Sequence, residues 1–206
     1  MDRTKTFKNI EPAILYFGTP VALISTIDEN NLANIGPVSS VWALGRTLLI
    51  GLECGSKTYQ NLIKQGECVV NIPAACLFDK VESIATLTGA QPIPDYKKTR
   101  YQYEPDKFRA GGFTKLASDE VVPPRIEECS MHFEAVFKNK IVIEDDPVEQ
   151  GPIAAVEVRV VKIHVDESLV IKDNHINPEK WDPLIYNFRH YFGLGKELGK
   201  TFKAEV

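Results

Sequence analysis

The run Gly55-Ser56-Lys57-Thr58 combines a permissive turn, two hydroxyls and a full positive charge where an apolar stretch gives way to a helical one. The first backbone N–H groups of a helix have no internal partner, and the helix dipole is positive there, so an anion is stabilised at that end. Ser56 and Thr58 add hydroxyl donors and Lys57 adds charge, a set that suits a phosphate monoester. The plainer reading is an N-capped surface helix, since Ser and Thr caps are common. The spacing is not that of a Walker A loop, GxxxxGK[ST].

Asn34-Ile35-Gly36-Pro37-Val38-Ser39-Ser40 is a second candidate. Gly36 and Pro37 interrupt regular pairing and free backbone amides, and Ser39 and Ser40 can donate to the carbonyl-type acceptors of a flat heterocycle. An irregular strand edge with a bulge explains the same residues. Asn71, beside Pro73, ends an apolar run, either exposed or facing a ligand. Tyr186, Arg189, His190 and Tyr191 cluster near the C-terminus; Arg189 can pair with phosphate and His190 can donate a proton.

Other chemistries lack their signatures. No Ser-His-Asp order supports nucleophilic hydrolysis, and His132, His164 and His175 are scattered. Cys54, Cys68, Cys76 and Cys129 form no CxxC and no zinc spacing, so they read as free thiols. No GxGxxG is present, so a Rossmann dinucleotide site is not indicated.

The elements that must position these residues are mostly strands. The 206 residues suffice for one domain with a sizeable core. Runs 21–27 and 32–37 read as a hairpin across the polar cluster 28–31, and 38–44 with 47–52 as a second pair turning at Gly45-Arg46. A helix is expected over 57–65, capped by Ser56 and Gly66, then a strand over 67–72 and a second helix over 77–87. A short helical turn is expected within 9–17. Strands follow at 131–142 and 153–165, joined by a loop over 145–152, and a short one at 169–172. Residues 89–125 hold five prolines yet also Tyr96, Tyr101, Tyr103, Phe108 and Phe113, which reads as an ordered excursion packed on the body or on a partner.

The order of these features resembles the flavin reductase-like family, in particular its flavoredoxin-like branch, over roughly residues 13–195. The residues that carry it are Gly18-Thr19-Pro20-Val21, the 33–40 run, Gly55-Ser56-Lys57-Thr58 with Asn61-Leu62, and Cys68-Val69-Val70-Asn71-Ile72-Pro73. Asp106-Lys107-Phe108 with Gly112-Phe113-Thr114 follows, then Trp181-Asp182-Pro183-Leu184-Ile185 and Tyr191-Phe192-Gly193-Leu194-Gly195. The resemblance implies a mainly β fold with flanking helices, an FMN-binding split β-barrel of the six-stranded Greek-key type.

It further implies FMN as cofactor, its phosphate on Ser56, Lys57 and Thr58. The ring would lie along Asn34, Gly36, Pro37, Val38, Ser39 and Ser40, and Asn71 would sit near the ribityl chain or ring. Arg189 and Tyr191 join the cofactor-binding set. No side chain is implied as catalytic, because the flavin carries the redox chemistry. NADH or NADPH is the implied electron donor, passing hydride to flavin N5. An electron-transfer flavoprotein served by a redox protein partner, or a flavin-binding protein without turnover, shares the same pocket. The family implies a homodimer, with 89–125 and a C-terminal arm over 177–206 at the interface and completing the partner's pocket.

A net charge of −4 and a pI of about 5.6 give no basic footprint for nucleic acid. No apolar run reaches the ~20 residues that cross a bilayer. Together with an N-terminal segment lacking a signal-peptide pattern, this makes a cytoplasmic location and no membrane contact the expectation.

Overall fold

The computed structural model describes residues 5–146 and 151–204. Sixteen strands and three α-helices alternate in it: β1 (Phe17–Pro20), β2 (Ala22–Ile27), β3 (Ala33–Val38), β4 (Val41–Leu44), β5 (Thr47–Glu53), α1 (Lys57–Gln65), β6 (Glu67–Ile72), α2 (Phe78–Ala85), β7 (Leu87–Thr88), β8 (Gln102–Tyr103), α3 (Lys107–Ala110), β9 (Lys115–Leu116), β10 (Arg125–Ile126), β11 (Met131–Asp146), β12 (Gly151–Val165), β13 (Val170–Ile171), β14 (His175–Ile176), β15 (Ile185–Asn187) and β16 (His190–Phe192).

The main sheet is antiparallel and ordered β3-β2-β6-β11-β12-β5-β4. It has seven strands rather than the six that the resemblance implies, and the expected 38–44 strand is confined to Val41–Leu44, since β3 runs on to Val38 and Ser39-Ser40 form a link. β3 and β4 become opposite edges of one sheet although two residues separate them in sequence. Three Cα–Cα steps span at most ~11 Å, so the sheet must curl until its edges meet. Those edges share no ladder, which leaves the barrel split.

Alternation decides which side chains fill it. On β5 Leu48, Ile50 and Leu52 point inward, and on β12 Ala154, Val156, Val158 and Val160 do, meeting Ile24, Val70 and Leu62 in the barrel core. β2 is buried on both faces: Ala22 and Ile24 enter this core, while Val21 and Leu23 enter a second one with Ile35, Val81, Ile84, Phe108, Phe113 and Ile126 under α2 and α3. At ~1.5–3 kcal/mol per fully buried aliphatic or aromatic side chain, these cores hold the fold together.

α1 spans the expected residues. Ser56 Oγ accepts Tyr59 N–H at 3.2 Å, and Gly66, at φ 80°, donates its N–H to Leu62 O at 2.9 Å. α2 is shorter than the expected 77–87, since Leu87 and Thr88 pair with Gln102 and Tyr103 instead. Residues 9–17 form no helix. The segment enters β1 and pairs with β15, where Phe188 N–H reaches Tyr16 O at 2.7 Å; tertiary pairing outweighs a turn too short to nucleate a helix. β11 and β12 run into the expected 145–152 loop, Asp145 facing Pro152 and Asp146 facing Gly151, while 147–150 lie outside the described residues. Cys54, Cys68, Cys76 and Cys129 are free. No helix among the described residues is long and apolar enough to cross a membrane.

Candidate functional site: a cleft along the barrel seam

A cavity of about 1000 Å³ runs along the seam between β3 and β5, roofed by α2, the 95–107 stretch and the β15–β16 hairpin. Ten of the twelve sequence candidates line it: Gly36, Pro37, Val38, Ser39, Ser40, Ser56, Lys57, Thr58, Arg189 and Tyr191. His190 and Tyr186 join them.

Asn34 lies just behind the wall. Its Nδ2 donates to Thr58 Oγ1 at 3.1 Å, which fixes the hydroxyl and leaves its proton available to a ligand. Asn71 is also off the cavity. It is fully buried; Nδ2 donates to Leu23 O at 2.8 Å, Ser25 Oγ at 3.1 Å and Val69 O at 3.2 Å, and Oδ1 accepts Ile126 N–H at 3.0 Å. Both Nδ2 hydrogens and one Oδ1 lone pair are spent on β2, β6 and β10, and the side chain is sealed away from the cavity, so it does not face a ribityl chain or ring there.

Close approach explains two glycines. A Cβ on Gly36 would stand 2.2 Å from Thr58 Oγ1, and one on Gly51 would stand 2.6 Å from Ser40 Cβ. Their absence brings the backbone of β3 against the α1 N-terminus and that of β5 against the Ser39-Ser40 link. Gly51 N–H donates to Ser40 O at 2.7 Å, and Ser40 Oγ and Tyr16 OH share a 2.7 Å hydrogen bond. Arg189 follows Phe188 in the β15–β16 turn, with φ of 69° and 45°. Positive φ at both central turn residues fits a tight hairpin, but side chains of this size seldom adopt it. Such strain at a cavity wall fits a functional placement of Arg189.

The 89–125 excursion folds over its own chain's cleft. Residues 96–107 contribute Tyr96, Lys97, Arg100, Tyr101 and Lys107 to the wall, none of which the residue patterns had marked as site residues. The one signal for Lys107 was its place in Asp106-Lys107-Phe108, which carries no chemical reading by itself. The cations are unevenly compensated. Lys57 Nζ lies 3.5 Å from Asp28 Oδ2, and Lys97 pairs with Glu53. Burial favours protonation of Asp28, but the backbone N–H groups of Leu32 and Asn30, with Lys57, outweigh it and hold the carboxyl below its usual range. Lys57 is therefore not the free charge its motif suggests.

Burial, with Glu53 beside it, pushes the Tyr96 phenol up to about 12. Burial raises Tyr191 as well, helped by the 2.9 Å hydrogen bond its hydroxyl donates to Glu82. Tyr96 and Tyr191 are therefore hydroxyl groups rather than bases near neutral pH. Elsewhere Asp119, Glu134 and His164 converge, a grouping that sequence spacing did not reveal. Buried Glu134 already accepts the N–H groups of Asp119 (2.9 Å), Glu120 (2.6 Å) and Val121 (3.2 Å) and pairs with His164 at 2.6 Å, which makes it a clamp on the excursion.

The amino-acid sequence matches the flavin reductase like domain over residues 14–195. The chain belongs to the flavin reductase-like family. It is 44% identical to the uncharacterised protein YdfE of Bacillus subtilis (strain 168) over 98% of this chain and 97% of that one. Its fold matches the flavoredoxin of Desulfovibrio vulgaris (Miyazaki F) with a TM-score of 0.77 at 22% identity, covering 97% of this chain and 99% of that one. It matches nitrilotriacetate monooxygenase component B from Bacillus cereus with a TM-score of 0.75 at 18% identity, covering 96% and 100% respectively. The split-barrel architecture is thus that of the family, and the cleft lies where its seam opens.

The residues present fit a flavin nucleotide. The cleft has the open α1 N-terminus and the hydroxyls of Ser56 and Thr58 beside Gly36, and Lys97, Arg100 and Lys107 also line it. From Gly36 the backbone of 36–40 leads to Tyr16, bonded to Ser40, and on to Tyr186 and Tyr191, with successive ring centroids 5.6 and 5.5 Å apart.

Proposed function

We propose that this protein binds FMN in the seam cleft and works as an NAD(P)H-dependent flavin reductase. The observation that carries this reading is the polarity of the cleft, anion-binding at the α1 end and broad, flat and backbone-lined along 36–40.

Ser56, Lys57 and Thr58 would hold the phosphate, with Asn34 keeping Thr58 Oγ1 oriented. Gly36, Pro37, Val38, Ser39 and Ser40 would edge the ring, and Tyr16 would fix the Ser40 hydroxyl. Arg189 and Tyr191 would close the far end, Tyr191 held by Glu82. Bound there, FMN would supply the two-electron redox chemistry. The chain's own residues bind, orient and exclude water, in keeping with the lack of a catalytic triad. The apolar lining from Val21, Val81, Leu52 and Ile153 lowers the local dielectric and strengthens each polar contact.

A homodimer belongs to the same reading. Ile141 and Ile143 stand exposed near the tip of the β11–β12 hairpin, and Trp42 and Leu44 on edge strand β4, as side chains that a second copy would cover. Light scattering coupled to size exclusion tests this by mass.

The visible spectrum of protein purified without added flavin tests the function, followed by anaerobic addition of NADH and then NADPH. Flavin absorbance bleached by one nucleotide supports the reductase and names its donor. Yellow protein bleached only by a reduced redox protein points to electron transfer. A colourless protein that takes up no added FMN refutes the reading.

A further inference from the structure

Among the cleft cations Lys107 stands apart. It is 4% exposed, and its ammonium has no hydrogen bond or ion pair among the described residues. The charged groups around it come from several elements. Lys97 and Arg100 lie on the 95–101 stretch, Glu53 on β5, Lys57 on α1, and Arg189 and His190 at the β15–β16 turn. Lys80 and Glu82 lie on α2, and Asp106 and Arg109 flank Lys107 itself. The acids among them are engaged: Glu53 by Lys97, Glu82 by Tyr191 OH, and Asp106 by Arg109 N–H at 3.2 Å. Lys80 is held by Gly112 O and Glu128. Burial first, and then the like charge of Lys97, push the Lys107 amine down to about 7. A buried amine without a counter-ion sheds its proton rather than carry an uncompensated charge. Lys107 lines the same cavity as the open end of α1, where an anion is favoured.

We propose that Lys107 is the proton-taking counter-ion of this cleft: entry of a phosphate monoester dianion draws one proton from solvent onto the Lys107 amine, and the ammonium–phosphate pair so formed selects phosphorylated over dephosphorylated flavin. The inference rests on the FMN reading above. Charge balances, since the neutral amine, one solvent proton and the dianion give a monoanionic pair with no bond broken in the ligand. Above pH 7 the proton must be taken up on binding, so affinity for the dianion falls as pH rises, by up to tenfold per unit. Well above pH 7 the free amine is mostly neutral, so proton uptake approaches one per phosphate bound.

The test is calorimetry of the wild-type protein with FMN, with riboflavin and with inorganic phosphate. Two buffers of different ionisation enthalpy are used at each pH from 8 to 9, where both the monoester and inorganic phosphate are dianions. Proton uptake is expected with FMN and inorganic phosphate but not with riboflavin, and FMN affinity should fall across the range. Lys107→Met should abolish the uptake, flatten the pH dependence and narrow the preference for FMN over riboflavin, the remainder staying with Ser56, Lys57 and Thr58. Lys107→Arg, which stays charged, should restore phosphate preference while leaving affinity flat with pH. FMN bound without proton uptake, or equally well by Lys107→Met, overturns the proposal and leaves the FMN reading standing. No binding of either flavin defeats the FMN reading, and phosphate-linked proton uptake in the wild-type protein then decides the proposal alone. Unfolding temperatures of both variants check that they are folded.

Discussion

Replacing Asn71 with alanine separates a structural from a ligand-contacting role at a candidate that lies buried off the cleft. Its amide makes four hydrogen bonds between β2, β6 and β10 in a region sealed from solvent. Truncation leaves Ile126 N–H without its acceptor, while Ser25 Oγ keeps its bond to Pro124 O at 2.5 Å. One orphaned buried donor costs about 1–3 kcal/mol. With the lost packing of the amide group the total is about 2–4 kcal/mol, and at about 2–4 °C per kcal/mol for a domain of this size the Tm falls by roughly 4–16 °C. Thermal unfolding of the ligand-free protein measures this. FMN titration well below the transition should then give an affinity within twofold of wild type. A Tm within 2 °C of wild type combined with a tenfold loss of FMN affinity would refute the reasoning and return Asn71 to the cleft.

Glu134→Ala removes the acceptor of three backbone N–H groups and should cost roughly 3 kcal/mol or more, read from the urea midpoint. Burial favours protonation of that carboxyl, but the N–H groups of Asp119 and Glu120 and the His164 ring outweigh it. Its folded value lies below the unfolded one, so its stabilisation is complete above the ordinary carboxylate range and lost as pH falls through the folded value; the variant should show a flatter acid limb. Gly36→Ala forces a Cβ to within 2.2 Å of Thr58 Oγ1 unless α1 shifts, and should cost about 1–3 kcal/mol and weaken FMN at least tenfold by titration. Arg189→Gly relieves a left-handed side chain and should raise stability by about 1 kcal/mol while lowering flavin affinity; a variant that loses both would show the hairpin is not strained.

What could be read beforehand was whatever is local. Ser56 and Gly66 set the ends of α1, and alternation in 153–165 placed Ala154, Val156 and Val158 inward, because caps and pleats act over a few residues. Ser39 and Ser40 were marked for their hydroxyls, yet their position as the link between opposite sheet edges depends on pairings between strands distant in sequence. Asn71 shows the limit most plainly. A polar residue ending an apolar strand looks the same whether it faces a ligand or a buried backbone, and Ile126, its partner, is 55 positions away. Lys97, Arg100 and Lys107 were hidden because the stretch that carries them has no periodicity. Its shape is imposed from outside, by the Glu134 clamp and the short β7–β8 pairing.

The two-residue link between β3 and β4 has a consequence for folding as well as for binding. Closing a ring of strands usually means bringing chain ends together across a long loop, with an entropic cost that grows with its length. Here the last gap lies between neighbours in sequence, so it closes almost without loss of chain entropy once the non-local pairings of β6, β11 and β12 are in place. Nothing covalent or hydrogen-bonded then zips β3 to β4 beyond that link. A molecule lying along the groove touches β3 and the end of β5 at once and acts as a removable staple. Its occupancy should therefore be felt by the whole barrel, as slower exchange of the amides along β3 and β5 and as a Tm that climbs with the logarithm of ligand concentration.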